Sequence, residues 1–222
     1  ESLISKEIPA LLLVTFVTGA LLFDLFLGRF DAVVLIFITG FFGYKLFRKQ
    51  SRVGALPEVG DSDLAPVNSA KAVTYLIAGL VLLVLSAEVL VAAAVSIAEF
   101  FDVSEAIIGL TVVALGTSLP ELAASVTCVL KGHHDLAIGN IIGSNILNLL
   151  AVLPLPALLS PGLIQSPLLF RDYAGVLLLT CLLAYFCFDC IRKQKMIGRL
   201  HGIAFLLIYC GWFTVMLVRV QA

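Results

Sequence analysis

Apolar residues dominate seven segments of the chain, each close to the length of a membrane span. The segments run near 8–27, 30–47, 73–97, 105–130, 136–158, 173–190 and 199–218. A helix of about 20 apolar residues crosses the hydrocarbon core of a bilayer. The pattern therefore predicts an all-α polytopic membrane protein with seven transmembrane helices. The third, fourth and fifth segments are the longest, which favours tilted or interrupted helices there.

A polar stretch divides these segments into two groups. Residues 51–71 are rich in Pro, Gly, Asp and Asn, a composition typical of a linker. The sequence therefore predicts two leading helices in 1–50, a linker in 51–71 and a group of five helices in 72–222. The linker is too short to hold a folded regulatory domain.

The distribution of Lys and Arg predicts the orientation in the membrane. If the linker is cytoplasmic, alternation of the spans places eleven basic residues on that side and three on the other. The eleven are Lys6, Lys45, Arg48, Lys49, Arg52, Lys71, Lys131, Arg192, Lys193, Lys195 and Arg199, and the three are Arg29, Arg171 and Arg219. Because cytoplasmic loops carry an excess of basic residues, the C-terminus is predicted to lie outside the cytoplasm.

Composition agrees with a bilayer as the solvent and excludes several function classes. The chain is 61% hydrophobic and 13% charged, and a soluble domain carries about twice that charged fraction. No basic patch with interleaved aromatic residues occurs, so nucleic-acid binding has no support. Cys187 and Cys190 form a single C-x-x-C pattern, which indicates packing at a helix end and no disulfide framework or metal cluster. The adjacent His133 and His134 fall in the short turn 131–135 and are typical of a solvated loop.

One acidic residue, Glu121, lies well inside the fourth apolar segment. An ionised carboxylate at that depth costs on the order of 3 kcal/mol, so residues of this kind usually serve a function. Thr117 and Ser125 lie one helical turn before and after Glu121, and Ser118 lies three residues before it. This spacing aligns oxygen-bearing side chains on one helix face. A carboxyl kept protonated or paired for structural reasons is the alternative.

A proline next to Glu121 predicts a break in the same helix. Pro120 has no N–H group, so the carbonyl of Gly116 loses its usual partner and a straight helix is disfavoured. Irregular backbone is tolerated at membrane depth only where it is buried or lines a cavity. Carbonyls, hydroxyls and a carboxylate are the ligands that a hard cation requires, so the sequence predicts a cation site around Glu121.

The fifth segment carries a second row of polar side chains. Asn140, Ser144 and Asn148 recur every four residues and so share one helix face, with Asn145 beside them. Each of these amides needs hydrogen-bonding partners inside a membrane. The G-x-x-x-G pattern at 139–143 permits close approach of another helix.

These two rows of motifs are similar to the α-repeat of the cation/calcium exchanger superfamily, in particular to the sodium/calcium exchangers of its bacterial, YrbG-like branch. The motifs are G-T-S-L-P-E at 116–121 and G-N-I-I-G-S-N at 139–145, within a repeat at 105–150. The resemblance implies a fold of ten transmembrane helices in two inverted halves, with ions bound at the midplane between two repeats. The chain resembles the last seven of those helices.

The resemblance also implies a set of ion ligands. Glu121 is implied as the central carboxylate, with Ala114, Thr117, Ser118, Ser144 and Asn148 supplying further oxygens. The position of Asn148 is often Asp in the family, so a neutral amide there lowers the charge of the site by one. Ion selectivity and potassium dependence therefore stay open. The implied partners are calcium and sodium ions and the lipid bilayer, and no cofactor is implied.

Only one such repeat occurs in the chain. No second G-T-S-x-P-E follows or precedes it, and the sequence begins at Glu1 without a signal-peptide pattern. The resemblance implies that helices carrying the first repeat precede Glu1, so we expect this chain alone not to transport. The other acidic residues within the span ranges include Asp24 and Glu88. Asp24 lies near a helix end close to Arg29 and is interpreted as an interfacial charge, whereas Glu88 either pairs with a polar group or lines the ion pathway.

The implied function is secondary antiport of calcium for sodium by alternating access, across a bacterial inner membrane. One alternative is a calcium/proton exchanger, in which Glu121 takes up the proton, and another is a passive cation channel. An intramembrane serine enzyme is disfavoured. Its nucleophile loop, G-x-S-x-G, would need glycine at position 120. No His lies deep in a span to act as a base, since His201 is near a helix start and His133 and His134 are in a loop.

Overall fold

The computed structural model describes residues 4–50, 69–103, 105–193 and 197–221, and most of these are helical. The helices are α1 (Ile4–Leu21), α2 (Arg29–Gln50), α3 (Ser69–Phe100), α4 (Glu105–Ile108), α5 (Ala114–Thr117), α6 (Leu119–Leu130), α7 (His134–Leu147), α8 (Pro154–Leu159), α9 (Ala174–Lys193) and α10 (Arg199–Gln221). Most of the predicted linker, 51–71, lies outside the described residues. The division of the chain into 1–50, 51–71 and 72–222 therefore stays a prediction.

Shorter elements interrupt or extend these helices. They are a 3₁₀ helix at Leu22–Asp24, π-helices at Gly109–Val113, Asn148–Val152 and Leu168–Tyr173, and two strands, β1 (Phe26–Leu27) and β2 (Gly162–Leu163). The strands pair antiparallel, with Phe26 opposite Leu163. Because β1 follows α1 and β2 follows α8, the C-terminal ends of these two helices lie on the same side of the bundle.

Several helical stretches are long and apolar enough to cross a membrane. Among the described residues, four qualify as continuous stretches: Glu7–Asp24, Ala70–Phe100, His134–Leu159 and Leu168–Lys193. A fifth consists of Thr111–Thr117 and Leu119–Leu130, which meet at an angle of 47°. The prediction of an all-α membrane protein is confirmed. The number of spans, seven, stays a prediction, although each of the seven apolar segments contains a described helix.

Helix α1 provides much of the buried core. Two buried clusters form along it: Ile8 and Leu11 with Ile142, Ala184 and Cys187, and Val14 with Leu35 and Leu150. The core thus joins α1 to α7, α9, α2 and the π-helix that follows α7. The packing role predicted for the C-x-x-C pair is confirmed, since Cys187 and Cys190 are both buried free thiols.

Helix α3 is packed differently from α1. It contacts the helical stretch that runs from α4 to α6, but its apolar span has no buried residues. A long apolar helix can stay this exposed in a lipid bilayer, or it can be covered by other helices. At the broken helix, Val91 of α3 lies against Gly116.

Candidate cation site

The predicted break in the fourth span is present, one residue before α6. α5 ends at Thr117, Ser118 links the two helices with φ of −91° and ψ of 0°, and α6 begins at Leu119. The Ser118 N–H donates to the carbonyl of Leu115 at 3.1 Å. Pro120 supplies no N–H to the turn before it, which explains why the α-helix cannot continue through this point.

The break places Glu121 in the first turn of α6. The N-terminal end of a helix carries a partial positive charge, which stabilises a carboxylate there. Carbonyl groups at the C-terminal end of the preceding helix point the opposite partial charge towards the same break. The first turn of α6, with Glu121, and the C-terminal end of α5 therefore flank the same break in the span.

One oxygen of the Glu121 side chain is buried without a hydrogen bond. Within the described residues, Oε2 of Glu121 has no hydrogen-bond partner. A buried acceptor left in this state costs about 1–3 kcal/mol, and more when it is charged. This oxygen is therefore suited to receive a cation or a proton.

The hydroxyl and carbonyl ligands predicted on the N-terminal side of Glu121 lie at the break and on α5. Thr117 donates its hydroxyl hydrogen to the carbonyl of Ala114 at 3.1 Å, which leaves lone pairs of the Thr117 oxygen available. Ala114, Thr117 and Ser118 are all exposed in the described chain. Their oxygens thus line a surface of the bundle and do not point into its core.

The second group of predicted ligands lies on the helix that packs against α6. Ser144 is on α7 and is partly buried, while Asn148 is exposed and begins a π-helix that continues to Val152. Short π-helices inside α-helical spans are frequent at functional sites. The structure thus brings the two motif segments onto neighbouring helices, and the ligand set itself stays a prediction.

A contact between the two helices was not foreseen from the sequence. Nδ2 of Asn140 on α7 donates to Oγ of Ser125 at 2.9 Å and lies 3.1 Å from the carbonyl oxygen of Glu121. Ser125 stands seven residues before Gly132 in the turn, and Asn140 stands eight residues after it. In a tight antiparallel hairpin, side chains at similar distances from the turn lie at similar heights. This spacing was the sequence signal that could have predicted the contact.

The other charged and metal-like residues occupy the positions expected of them or lie away from the break. Asp24 is exposed after α1 and accepts a hydrogen bond from the N–H of Phe26, as suits a charge at a helix end. His133 is in the turn and His134 begins α7. Glu88 is exposed on α3, and its role stays open.

The pattern G-x-x-x-G does not mark a close helix contact at both of its glycines. Among the described residues, no atom lies within 4 Å of the position that a Cβ would take at Gly143. At Gly139 the nearest atom is Oε2 of Glu7 at 3.7 Å. The close approach that this pattern permits is thus present from α1 at Gly139 and absent at Gly143 among the described residues.

Comparisons with known proteins match this chain to one family of transporters. A family model described as sodium/calcium exchanger protein matches residues 71–218. The chain is 38% identical over 210 residues to the inner membrane protein YrbG of Escherichia coli K12. This match covers 91% of this chain and 63% of YrbG. It is 42% identical over 113 residues to the sodium/calcium exchanger MaX1 of Methanosarcina acetivorans. This second match covers 51% of this chain and 32% of MaX1.

Solved structures give a similar match. A structure of the sodium-calcium exchanger NCX_Mj, soaked with Na⁺ and Sr²⁺, aligns with a TM-score of 0.74 at 29% sequence identity. The alignment covers 96% of this chain and 66% of that one. The chain thus spans about two thirds of the length of YrbG and of NCX_Mj.

Proposed function

The chain belongs to the sodium/calcium exchanger protein family, in its YrbG-like branch, and on that premise we propose that the protein containing it exchanges calcium for sodium across a membrane. The family consists of transporters and not of enzymes. The proposed mode is secondary antiport by alternating access. Glu121 binds either ion in turn, so that the downhill entry of sodium drives the exit of calcium.

The observation that carries this proposal is the buried, unpaired oxygen of Glu121 beside a broken helix. Oε2 of Glu121 has no hydrogen-bond partner in the described chain, and Pro120 leaves the turn before it short of a donor. Both features are unfavourable in an apolar membrane unless a ligand compensates for them. A hard cation coordinated by carboxylate and carbonyl oxygens does so.

We propose that six residues of this chain supply one side of the ion site. They are Glu121, Ala114, Thr117, Ser118, Ser144 and Asn148. Calcium takes six to eight oxygens and prefers anionic ligands, whereas Glu121 is the one carboxylate in this set. Because Asn148 is neutral, further negative charge is expected from helices that cover the exposed oxygens of Ala114, Thr117 and Ser118.

These covering helices are proposed to carry the first α-repeat and to precede Glu1. Four of the six proposed ligands are exposed in the described chain, although they lie in the middle of apolar spans. Polar oxygens at membrane depth require a protein or water partner. An inverted copy of the same repeat, packed on this face, would enclose the site at the midplane.

The proposed location is a bacterial inner membrane, which is where the relative YrbG is named as residing. The excess of basic residues places the linker at 51–71 and the turn before α7 on the cytoplasmic side, with the C-terminus outside. The partners of the protein in this proposal are calcium ions, sodium ions and the lipid bilayer, and no cofactor is needed.

Cation binding by the full-length purified protein tests the site. We expect Glu121→Gln to weaken calcium binding by roughly 100-fold, equivalent to about 2.7 kcal/mol, because it removes the carboxylate from the site. We expect Asn148→Asp to strengthen calcium binding by roughly tenfold through the added charge. Isothermal titration calorimetry with calcium, repeated in sodium, measures both effects.

A control variant makes this test specific. Asn145→Asp adds the same charge three residues before Asn148, but the Asn145 amide bonds to the carbonyl of Ile141 in its own helix at 2.8 Å. We expect this control to change calcium affinity by less than about threefold. Unchanged calcium binding in Glu121→Gln would refute the proposed site.

A calcium/proton exchanger is the second candidate, and one observation favours it. An unpaired buried carboxyl oxygen can be satisfied by a proton as well as by a cation, and the amide at Asn148 does not supply a second negative charge. In proteoliposomes, calcium uptake driven by a sodium gradient at uniform pH supports the first candidate. Uptake driven by a pH gradient in the absence of sodium supports the second.

A further inference from the structure

The amide of Asn140 bridges two successive turns of the helix that carries Glu121. Its Nδ2 atom donates to Oγ of Ser125 at 2.9 Å and lies 3.1 Å from the carbonyl oxygen of Glu121. Glu121 and Ser125 are four residues apart, so their acceptor atoms are stacked along the axis of α6. A primary amide has two N–H groups and can serve both acceptors at once.

This contact fixes how far α6 can slide along α7. The rise of an α-helix is 1.5 Å per residue, so a shift by one residue would separate Asn140 from both acceptors. The two helices form an antiparallel hairpin through the turn at Gly132, with φ of +80°, and they pack closely along their length. The bridge therefore locks one register of the hairpin.

The register determines which part of α7 the Glu121 side chain can reach. Helix side chains tilt towards the N-terminus of their helix, which for Glu121 means away from the turn at Gly132. On α7, Ser144 lies about 6 Å farther from that turn than Asn140, and Asn148 about 12 Å farther. Asn140 thus holds the backbone of Glu121 from the side of the turn, while the carboxylate leans towards the level of Ser144.

We propose that Asn140 is a positioning residue for the cation site, which sets the height of Glu121 relative to the oxygens on α7 by bridging Ser125 and the Glu121 carbonyl. Asn140 does not contact the ion in this proposal. Its effect on ion binding passes through the position of Glu121, so the inference rests on the proposed function of that residue. A residue with a purely structural role would change the stability of the hairpin and leave the selectivity of the folded site unaltered.

The test compares calcium and strontium binding to the full-length protein, because these ions differ in radius and share their charge. Asn140→Ala is expected to weaken calcium binding about tenfold and to change the calcium-to-strontium affinity ratio about threefold. Ser125→Ala, which removes one acceptor of the bridge, is expected to give a smaller change in the same direction. Asn140→Gln keeps the amide on a longer side chain and is expected to fall between Asn140→Ala and the parent.

The double variant separates positioning from two independent losses. In Asn140→Ala with Ser125→Ala, we expect calcium affinity no weaker than in Asn140→Ala alone, since one bridge is removed in either case. Thr127→Ala is the matched control for Ser125→Ala, because the Thr127 hydroxyl bonds at 2.8 Å to the Ala123 carbonyl of its own helix. The control should leave both affinities unchanged.

The outcomes distinguish the positioning role from the proposed function itself. If Glu121→Gln abolishes calcium binding while Asn140→Ala leaves both the affinity and the ion ratio unchanged, the positioning role is refuted and the ion site stands. If Asn140→Ala lowers thermal stability without altering the ion ratio, the bridge is structural only, which also refutes the proposal. If Glu121→Gln retains calcium binding, the proposed function of Glu121 is itself refuted.

Discussion

Gly116 is the glycine of the broken helix against which Val91 of α3 packs. A Cβ built on Gly116 would lie 2.0 Å from Cγ2 of Val91, far inside the contact distance of two carbon atoms. Gly116 is also buried and lies two residues before the break at Ser118. The absence of a side chain therefore lets α3 pack against the backbone that leads into the cation site.

We expect Gly116→Ala to destabilise the protein by about 1–3 kcal/mol, because the added methyl forces the two helices apart. Val91→Ala should partly restore stability in the double variant, since the next atom, Cβ of residue 91, lies 3.3 Å from the added methyl. Thermal unfolding in detergent measures the effect. Gly109→Ala is the control, as no described atom lies within 4 Å of its Cβ position. Failure of Val91→Ala to improve the stability of Gly116→Ala would contradict this account.

Glycines also show the limit of sequence reasoning at the scale of single residues. The spacing of Gly139 and Gly143 permits a close helix approach, but among the described glycines the shortest contact is at Gly116, which the sequence places in an ion-site motif. A glycine in a sequence indicates only that another part of the chain can come close to its backbone. Which helix comes close depends on tertiary packing, and a single sequence does not contain that information.

At the scale of helical elements, the π-helix that begins at Asn148 is held by a contact from α2. The Thr39 hydroxyl lies 2.8 Å from the carbonyl oxygens of both Leu35 and Leu150. The carbonyl of Leu150 would normally accept a bond from residue 154, but Pro154 has no N–H group. The hydroxyl of a neighbouring helix therefore replaces the missing donor.

We expect Thr39→Val to destabilise the protein by about 1–3 kcal/mol, because it leaves the buried Leu150 carbonyl without this donor at nearly constant volume. Thr39→Ser keeps the hydroxyl and should cost less. Amide hydrogen exchange should show faster exchange in 148–153 for Thr39→Val. Thr74→Val serves as the control, since the Thr74 hydroxyl is exposed and bonds within α3. Equal stability of Thr39→Val and the parent would rule out this contribution.

The helices themselves could be predicted more fully than the irregular backbone within them. The apolar segments predict all of the long helices, because burial in lipid requires a continuous apolar run. Pro120 predicts the break at Ser118, since the lost N–H acts locally. The π-helices were not foreseen, although Pro154 is a local signal for the second one. In that π-helix the carbonyl of Leu150 accepts a hydrogen bond from Thr39, which is distant in sequence.

The same reasoning separates the predicted and unpredicted parts of the candidate site. A carboxylate in an apolar span is conspicuous in any sequence. Glu121 could therefore be predicted as a candidate cation ligand from its surroundings alone. The bridge from Asn140 to Ser125 required knowledge of the hairpin register. Polar residues on two helices can be paired in several ways, and only the packing of α6 on α7 selects one of them.

At the scale of the whole molecule, the buried and the open faces of the bundle have different chemistry. The core around α1 is apolar, while the exposed surface near the break carries Ala114, Thr117, Ser118 and Asn148. A membrane protein does not present such a group of oxygens to lipid. In the proposed function, this surface is one wall of the ion site, and the proposed covering helices supply the opposite wall.

The strand pair constrains the orientation of the whole bundle. β1 follows α1 and β2 follows α8, and the N–H of Ile164 donates to the carbonyl of Leu25 at 2.7 Å. The ends of α1 and α8 thus share one side, whereas the turn at 131–133 lies at the other end of α7. The excess of basic residues predicts that this turn is cytoplasmic and that the strand pair is outside.

Accessibility of introduced cysteines tests this orientation in the full-length protein. Gln165 and His133 are both exposed, and one span, formed by α7 and α8, separates them. In right-side-out membrane vesicles we expect Gln165→Cys to react with a membrane-impermeant maleimide, and His133→Cys to react only after permeabilisation. The parent protein, with five native cysteines in this chain, gives the background.

The opposite labelling pattern would invert the proposed orientation, and labelling of both positions from one side would contradict a span between them. The expected pattern would place the proposed ion site between a cytoplasmic hairpin turn and an external strand pair, so that an ion bound at Glu121 could be reached from either side only through movement of the surrounding helices.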